Sequence, residues 1–184
     1  MPSPSRRLVV LLAVFCVTCR GEPKAPDPAA LVAQLKSSDA TVSGAASLEL
    51  LRLGEPATPA LVELLQDPDP ALRALAARTF WGMGARAGGA AVPPLADALA
   101  DADASVRVGA AMALGNMGPV AAPAVPALVR ALRDPDAKVR PWAARALGSI
   151  GPAAEAAVPA LQKAGRLDGV QGPAEEAIRK IRTR

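Results

Sequence analysis

With 184 residues, of which 51% are hydrophobic but only 2% aromatic, and a formal charge of +4, the chain fits one domain, or one short repeat array with a targeting segment. Small, helix-favouring side chains, alanine above all, suit closely packed helices better than a β-sandwich, so the fold expected is all-α. No histidine occurs, and both cysteines, Cys16 and Cys19, lie in the first twenty residues. That leaves the rest of the chain without the commonest general base, the commonest metal ligand or a cysteine nucleophile. We therefore expect no catalytic residue, no metal and no cofactor.

Arg6 and Arg7 precede an apolar run of ten residues, Leu8 to Val17. A positive segment followed by a short apolar one describes a secretory signal, and the run is too short for the roughly 20 residues a spanning helix needs. Without those two arginines the charge falls from +4 to +2, too weak an excess to argue for nucleic acid. Residues 1–19 are thus expected to be an export signal and 20–28, with Pro23, Pro26 and Pro28, a flexible linker. The segment also resembles a bacterial lipoprotein signal. That resemblance makes Cys19, preceded by the small Thr18, the lipidated residue, although Cys16 stands where such signals prefer leucine. The expected location is the cell envelope, periplasmic or held at the membrane by the lipid.

From residue 29 to 164 the chain repeats itself. Asp67–Gly84, Asp101–Gly118 and Asp134–Gly151 share one pattern, with Arg73, Arg107 and Arg140 spaced 34 and 33 residues apart. A fixed period of this size marks stacked helical units that cannot bury their apolar faces alone. Each unit opens with a short helix led by proline, at Pro28, Pro59, Pro93, Pro126 and Pro159, where the missing N–H has no partner to lose. A second helix follows, capped at its start by Asp69, Asp103 or Asp136 and stopped at Gly84, Gly118 or Gly151, where a left-handed cap is expected. Its core face reads Leu72, Ala76, Phe80 and Met83 in one copy, and Val106, Ala110, Ala113, Leu114 and Met117 in the next. In the fourth copy it reads Val139, Ala143, Ala146, Leu147 and Ile150. A worn first copy keeps Val42, Ala46, Leu50 and Leu53 but has Ser43 where arginine is expected. Residues 165–184 read as a degenerate capping helix with Val170, Ala174, Ala177, Ile178 and Ile181 inward, which gives about four helix pairs plus a cap.

The shared Asp-x-Asp-x-x-[Val/Leu]-Arg-x-x-Ala-Ala pattern, with a Pro-x-Leu helix between copies, resembles the short HEAT-like repeats of phycobilin lyases. The resemblance implies a right-handed α-solenoid of stacked antiparallel helix pairs, an armadillo-like superhelix. It also implies a structural ladder joining neighbouring repeats through Asp67, Asp101 and Asp134 and Arg73, Arg107 and Arg140. A line of arginines binding an anion is the alternative reading of those charges.

In such arrays the second helices line a concave face. The positions left over from the core are Leu48 and Arg52, then Leu75 and Arg78, Val108, Met112 and Asn116, and Trp142 and Arg145. Tryptophan, methionine and arginine are enriched at protein interfaces, so Leu75, Arg78, Val108, Met112, Asn116, Trp142 and Arg145 are the expected partner site. The alternative for Trp142 is packing across a repeat boundary. Trp81 shares a column with Gly115 and Gly148 and is expected to wedge between repeats. The function this suggests is a non-catalytic scaffold that binds another protein. Two alternatives are a lyase-like enzyme or enzyme subunit, and nucleic-acid binding through Arg179, Lys180, Arg182 and Arg184, which the near-neutral charge disfavours.

Overall fold

The computed structural model describes residues 26–183. Cys16, Cys19 and the expected export signal lie outside the described residues, as does Arg184. Ten α-helices and no strand occur among the described residues, and the helices form five pairs. They are α1 (Pro28–Leu35) with α2 (Ala40–Leu53), α3 (Thr58–Leu64) with α4 (Pro70–Met83), and α5 (Val92–Ala98) with α6 (Ala104–Met117). Then come α7 (Val125–Ala131) with α8 (Val139–Ile150), and α9 (Val158–Ala164) with α10 (Gln171–Arg182). The longer second helices stack in order, α2 on α4, α4 on α6, α6 on α8 and α8 on α10, and the short first helices make the other layer. The fold is an all-α solenoid. Because α10 packs on both α8 and α9, the stretch expected as a separate cap is the second helix of a fifth pair.

Aspartate starts the second helices of the first four pairs. The carboxylates of Asp39, Asp69 and Asp103 accept from the backbone N–H of Thr41, Ala71 and Ser105 at 2.8, 2.8 and 2.7 Å. Asp136 accepts likewise from Lys138 at 2.7 Å, yet α8 begins only at Val139. Pro141 is the reason: it has no N–H to give the carbonyl of Ala137, so the first turn is not closed as in the other copies.

Glycine ends these helices, in a conformation other than the expected left-handed one. Gly54, Gly84, Gly118 and Gly151 have φ of 69°, 55°, 61° and 75°, but ψ of −134°, −137°, −135° and −144°. Such backbone is open to glycine almost alone. It turns the chain directly into short 3-10 segments, among them Gly118–Ala124 and Gly151–Ala157, where Pro119 and Pro152 occupy the first turn. Each junction into the next first helix is a buried alanine: Ala57, Ala91, Ala124 and Ala157.

One contiguous apolar core runs from Leu31 to Ile181. Every predicted inward residue of α6 and α8 is buried. Val42 is not: it is 38% exposed, because α2 heads the stack and has a second-helix neighbour on one side only, whereas Val106 and Val139 sit inside it. The stacked helices touch through small residues. A Cβ placed on Gly109 would lie 2.8 Å from the Ala77 methyl, and one on Gly148 would lie 2.8 Å from the Cα of Ala177. Backbone in that position cannot yield locally, so helix spacing depends on these glycines. Gly148→Ala is expected to destabilise the fold by about 1–3 kcal/mol. Gly172→Ala, where an added methyl meets nothing within 4 Å, is expected to be neutral or stabilising by about 0.5 kcal/mol. Urea melts of the two variants check this; equal effects would mean the seam does not set the spacing.

Candidate interaction surface

The turn between the helices of a pair is built around one aspartate. Oδ1 of Asp67, Asp101 and Asp134 accepts the backbone N–H two residues on, at 3.0, 2.8 and 2.8 Å, which folds the turn that presents the capping aspartate. The same carboxylate reaches the preceding repeat. Arg73 donates to Asp101 through Nε at 2.7 Å and Nη2 at 2.9 Å, and Arg107 donates to Asp134 at 2.8 and 2.9 Å. These are two-pronged pairs, the geometry in which a planar guanidinium binds carboxylate best. The remaining Nη1 of Arg73 bonds the carbonyls of Asp67 and Pro68, and that of Arg107 the carbonyls of Asp101 and Ala102. Asp67 takes its cation from Lys36 at 2.7 Å, which replaces the arginine missing from the first copy. Arg140 has no carboxylate within salt-bridge distance among the described residues.

The charges respond accordingly. The Arg73 guanidinium holds the Asp101 carboxyl below the ordinary aspartate range, against a smaller opposing effect of burial. Lys36 does the same for Asp67, and the Asp134 carboxylate raises Arg107. Arg73 and Arg107 are spent within the array.

On the stacked second helices, three adjoining hollows share lining residues. One of about 310 Å³ is walled by Trp81, Met112, Asn116, Trp142, Arg145 and Lys180, among others. A second, about 590 Å³, shares Trp81, Met112 and Trp142 and adds Arg78, Val108 and Lys138. The third, about 440 Å³, holds Leu75 and shares Arg78 with the second. The seven residues expected to bind a partner are thus brought to one furrow, although Leu75 lies at its far end. Leu48 is 68% exposed and lines none of the three hollows, nor does Arg52, which pairs with Glu49 at 2.8 Å. Trp142 is half-buried against the core, with the Arg145 guanidinium carbon 4.9 Å from the ring centroid. Its indole both packs and lines the furrow. Asn116 has a bond of its own across repeats: its amide donates to the carbonyl of Trp81 at 2.6 Å, satisfying an acceptor left free near the end of α4.

Trp81 does not wedge between repeats. Gly115 and Gly148, its counterparts, come within 3.1 and 2.8 Å of neighbouring Cα atoms for an added Cβ, a gap no indole enters. The ring lies outside instead, 45% exposed, and lines both hollows that hold Met112 and Trp142. The sequence pattern also missed Lys138 and Lys180. Lys138 belongs to the first turn that Pro141 loosens, and Lys180 to the helix read as a cap. Arg78, Lys138 and Arg145 have no carboxylate within salt-bridge distance among the described residues. Lys180 shares Glu176 with Arg179, and the Arg179 contact lowers the Glu176 carboxyl. The furrow is aromatic and, with Arg78, Lys138, Arg145 and Lys180 against Asp136 and Glu176, net cationic.

Residues 92–179 match the HEAT repeats family. That stretch, from α5 into α10, is similar to HEAT repeats. No curated protein matches the sequence. Among solved structures, the array is similar to the complex of CpcE and CpcF of phycocyanin lyase from Nostoc sp., with 24% identity over 82% of this chain and 96% of that one and a TM-score of 0.69. A designed armadillo repeat protein in complex with the peptide (KR)4 is similar at 21% identity, 83% and 81% coverage and a TM-score of 0.63. An engineered protein shares 28% identity over 84% and 78%, with a TM-score of 0.58. The first two likenesses are of fold alone.

Proposed function

We propose that the chain is a HEAT-repeat array and a non-catalytic scaffold that holds another protein against the second-helix furrow. The observation that carries this reading is the grouping of Trp81, Met112 and Trp142 with the unpaired cations Arg78, Lys138 and Arg145 on one exposed face. Aromatic, methionine and arginine side chains dominate binding energy where proteins meet. The repeat architecture supports it as well, since a designed armadillo relative holds a peptide. The likeness to a phycocyanin lyase complex is the support for the alternative, an enzyme subunit, and it rests on fold alone. The furrow contains no histidine or cysteine to carry acid–base or nucleophilic chemistry.

In a pull-down from envelope extract, Trp142→Ala combined with Arg145→Ala is expected to lose a protein that the parent captures, with circular dichroism unchanged. Capture of the same protein by both would take the site away from the furrow.

We further propose that the scaffold is exported and tethered at the membrane by a lipid on Cys19. The support is the Arg6–Arg7 and Leu8–Val17 pattern followed by a small residue and cysteine. Radiolabelled fatty acid is expected to enter the parent and not Cys19→Ser; equal labelling, or none in either, contradicts the tether.

A further inference from the structure

The ladder is incomplete at one end. In α8 the Arg140 guanidinium keeps the two carbonyl anchors of its column, donating from Nε to Asp134 at 2.8 Å and from Nη2 to Pro135 at 3.2 Å. Of its five N–H groups, three remain without a partner among the described residues. In the two preceding repeats the same side chain also holds a carboxylate from the next repeat. Asp134 lies five residues before Val139; the residue five before Val170, its counterpart in the fifth pair, is Gly165. Glycine has replaced the carboxylate, and the nearby Asp168 is exposed and pairs with nothing among the described residues.

A crevice of about 650 Å³ lies over this vacancy, between α7 and α9. Its charged wall is Arg133, Arg140, Lys163 and Arg166, and its apolar part includes Val129 and Leu167. Asp134 also borders it, with its carboxylate already gripped by Arg107 through two bonds. Two repeats earlier the corresponding crevice between α3 and α5 is half the size, about 320 Å³. There Gln66, Asp97 and Asp101 stand in the wall, and Asp101 is the residue that fills the slot of Arg73. From that crevice to this one the wall changes from acidic to cationic, and the slot opens.

We infer that the α7–α9 crevice binds an acidic side chain of a partner protein, which completes the ladder in trans. An Asp or Glu carboxylate engages Arg140, Lys163 and Arg166 steer it, and an apolar neighbour rests on Val129 and Leu167. The occupant fitted best is an Asp-x-Asp turn, because this guanidinium column binds such turns within the array. A second copy of the chain does not supply one: its own ladder carboxylates, Asp67, Asp101 and Asp134, are each paired. The site lies on the first-helix layer, apart from the second-helix furrow, and does not depend on that furrow being used.

The test is fluorescence anisotropy of the full chain with a labelled peptide carrying Asp-Pro-Asp-Ala-Leu-Leu, alongside its Asn-Pro-Asn counterpart. The acidic peptide is expected to bind, and the amide version to bind at least about tenfold more weakly. Arg140→Ala, and separately Lys163→Glu with Arg166→Glu at two exposed positions, are each expected to weaken the acidic peptide by about tenfold or more. Trp142→Ala with Arg145→Ala is expected to leave it unchanged. The inference is overturned if the acidic peptide does not bind. It is overturned too if the peptide binds equally to both charge variants while they remain folded, or is lost only in the furrow variant.

Discussion

A carboxylate shared between two repeats is the constraint on which the array depends. Asp101 and Asp134 each do three things at once: they fold their own turn, present the aspartate that caps the second helix, and accept two bonds from an arginine one repeat earlier. The arginine in turn ties back to the carbonyls of its own turn. Local turn geometry and the offset between repeats are therefore fixed by the same atoms. A surface ion pair contributes little because both partners remain hydrated and mobile. Here the side chains of Arg107 and Asp134 are only 11% and 6% exposed, the guanidinium makes four hydrogen bonds, and both carboxylate oxygens are engaged.

That polar frame compensates for a core with few large side chains. Alanine and glycine fill the contacts between second helices, which lets the backbones approach closely and makes each contact sensitive to one methyl group. Close approach has a consequence at the surface. Large residues falling in the tight columns are turned outward, as Trp81 is, and an aromatic furrow results where the repeat pattern alone would place a wedge. The frame also ends abruptly. Lys36 closes it at the first repeat, and nothing among the described residues closes it at Arg140, so the two ends of the array differ chemically.

Periodicity carried most of the architecture. The leading prolines locate the five first helices, and the spacing of Arg73, Arg107 and Arg140 with the closing glycines locates α4, α6 and α8, because each signal reflects a local backbone requirement repeated from copy to copy; α2 and α10 were legible from their apolar register. The inward columns of α6 and α8 were legible for the same reason. What escaped were departures from the repeat. Val42 is exposed because of its place at the end of the stack, which no local pattern encodes. The first turn of α8 depends on Pro141, present in that copy alone. The furrow was half legible: Met112, Trp142 and Arg145 follow from subtraction of the core face, while Trp81 and Lys180 depend on packing against neighbouring repeats. The vacancy at Arg140 needs three-dimensional pairing to be seen, since in sequence the residue matches its column.

The central claim is that the shared carboxylate couples adjacent repeats. A double-mutant cycle on Arg107→Ala and Asp134→Ala, read by urea unfolding, tests it most directly. The account predicts a coupling of about 1.5–3 kcal/mol, the range for a hydrogen-bonded charge pair shielded from solvent. Additive effects, with a coupling below about 0.5 kcal/mol, would contradict it and leave the apolar stack as what holds the repeats in register.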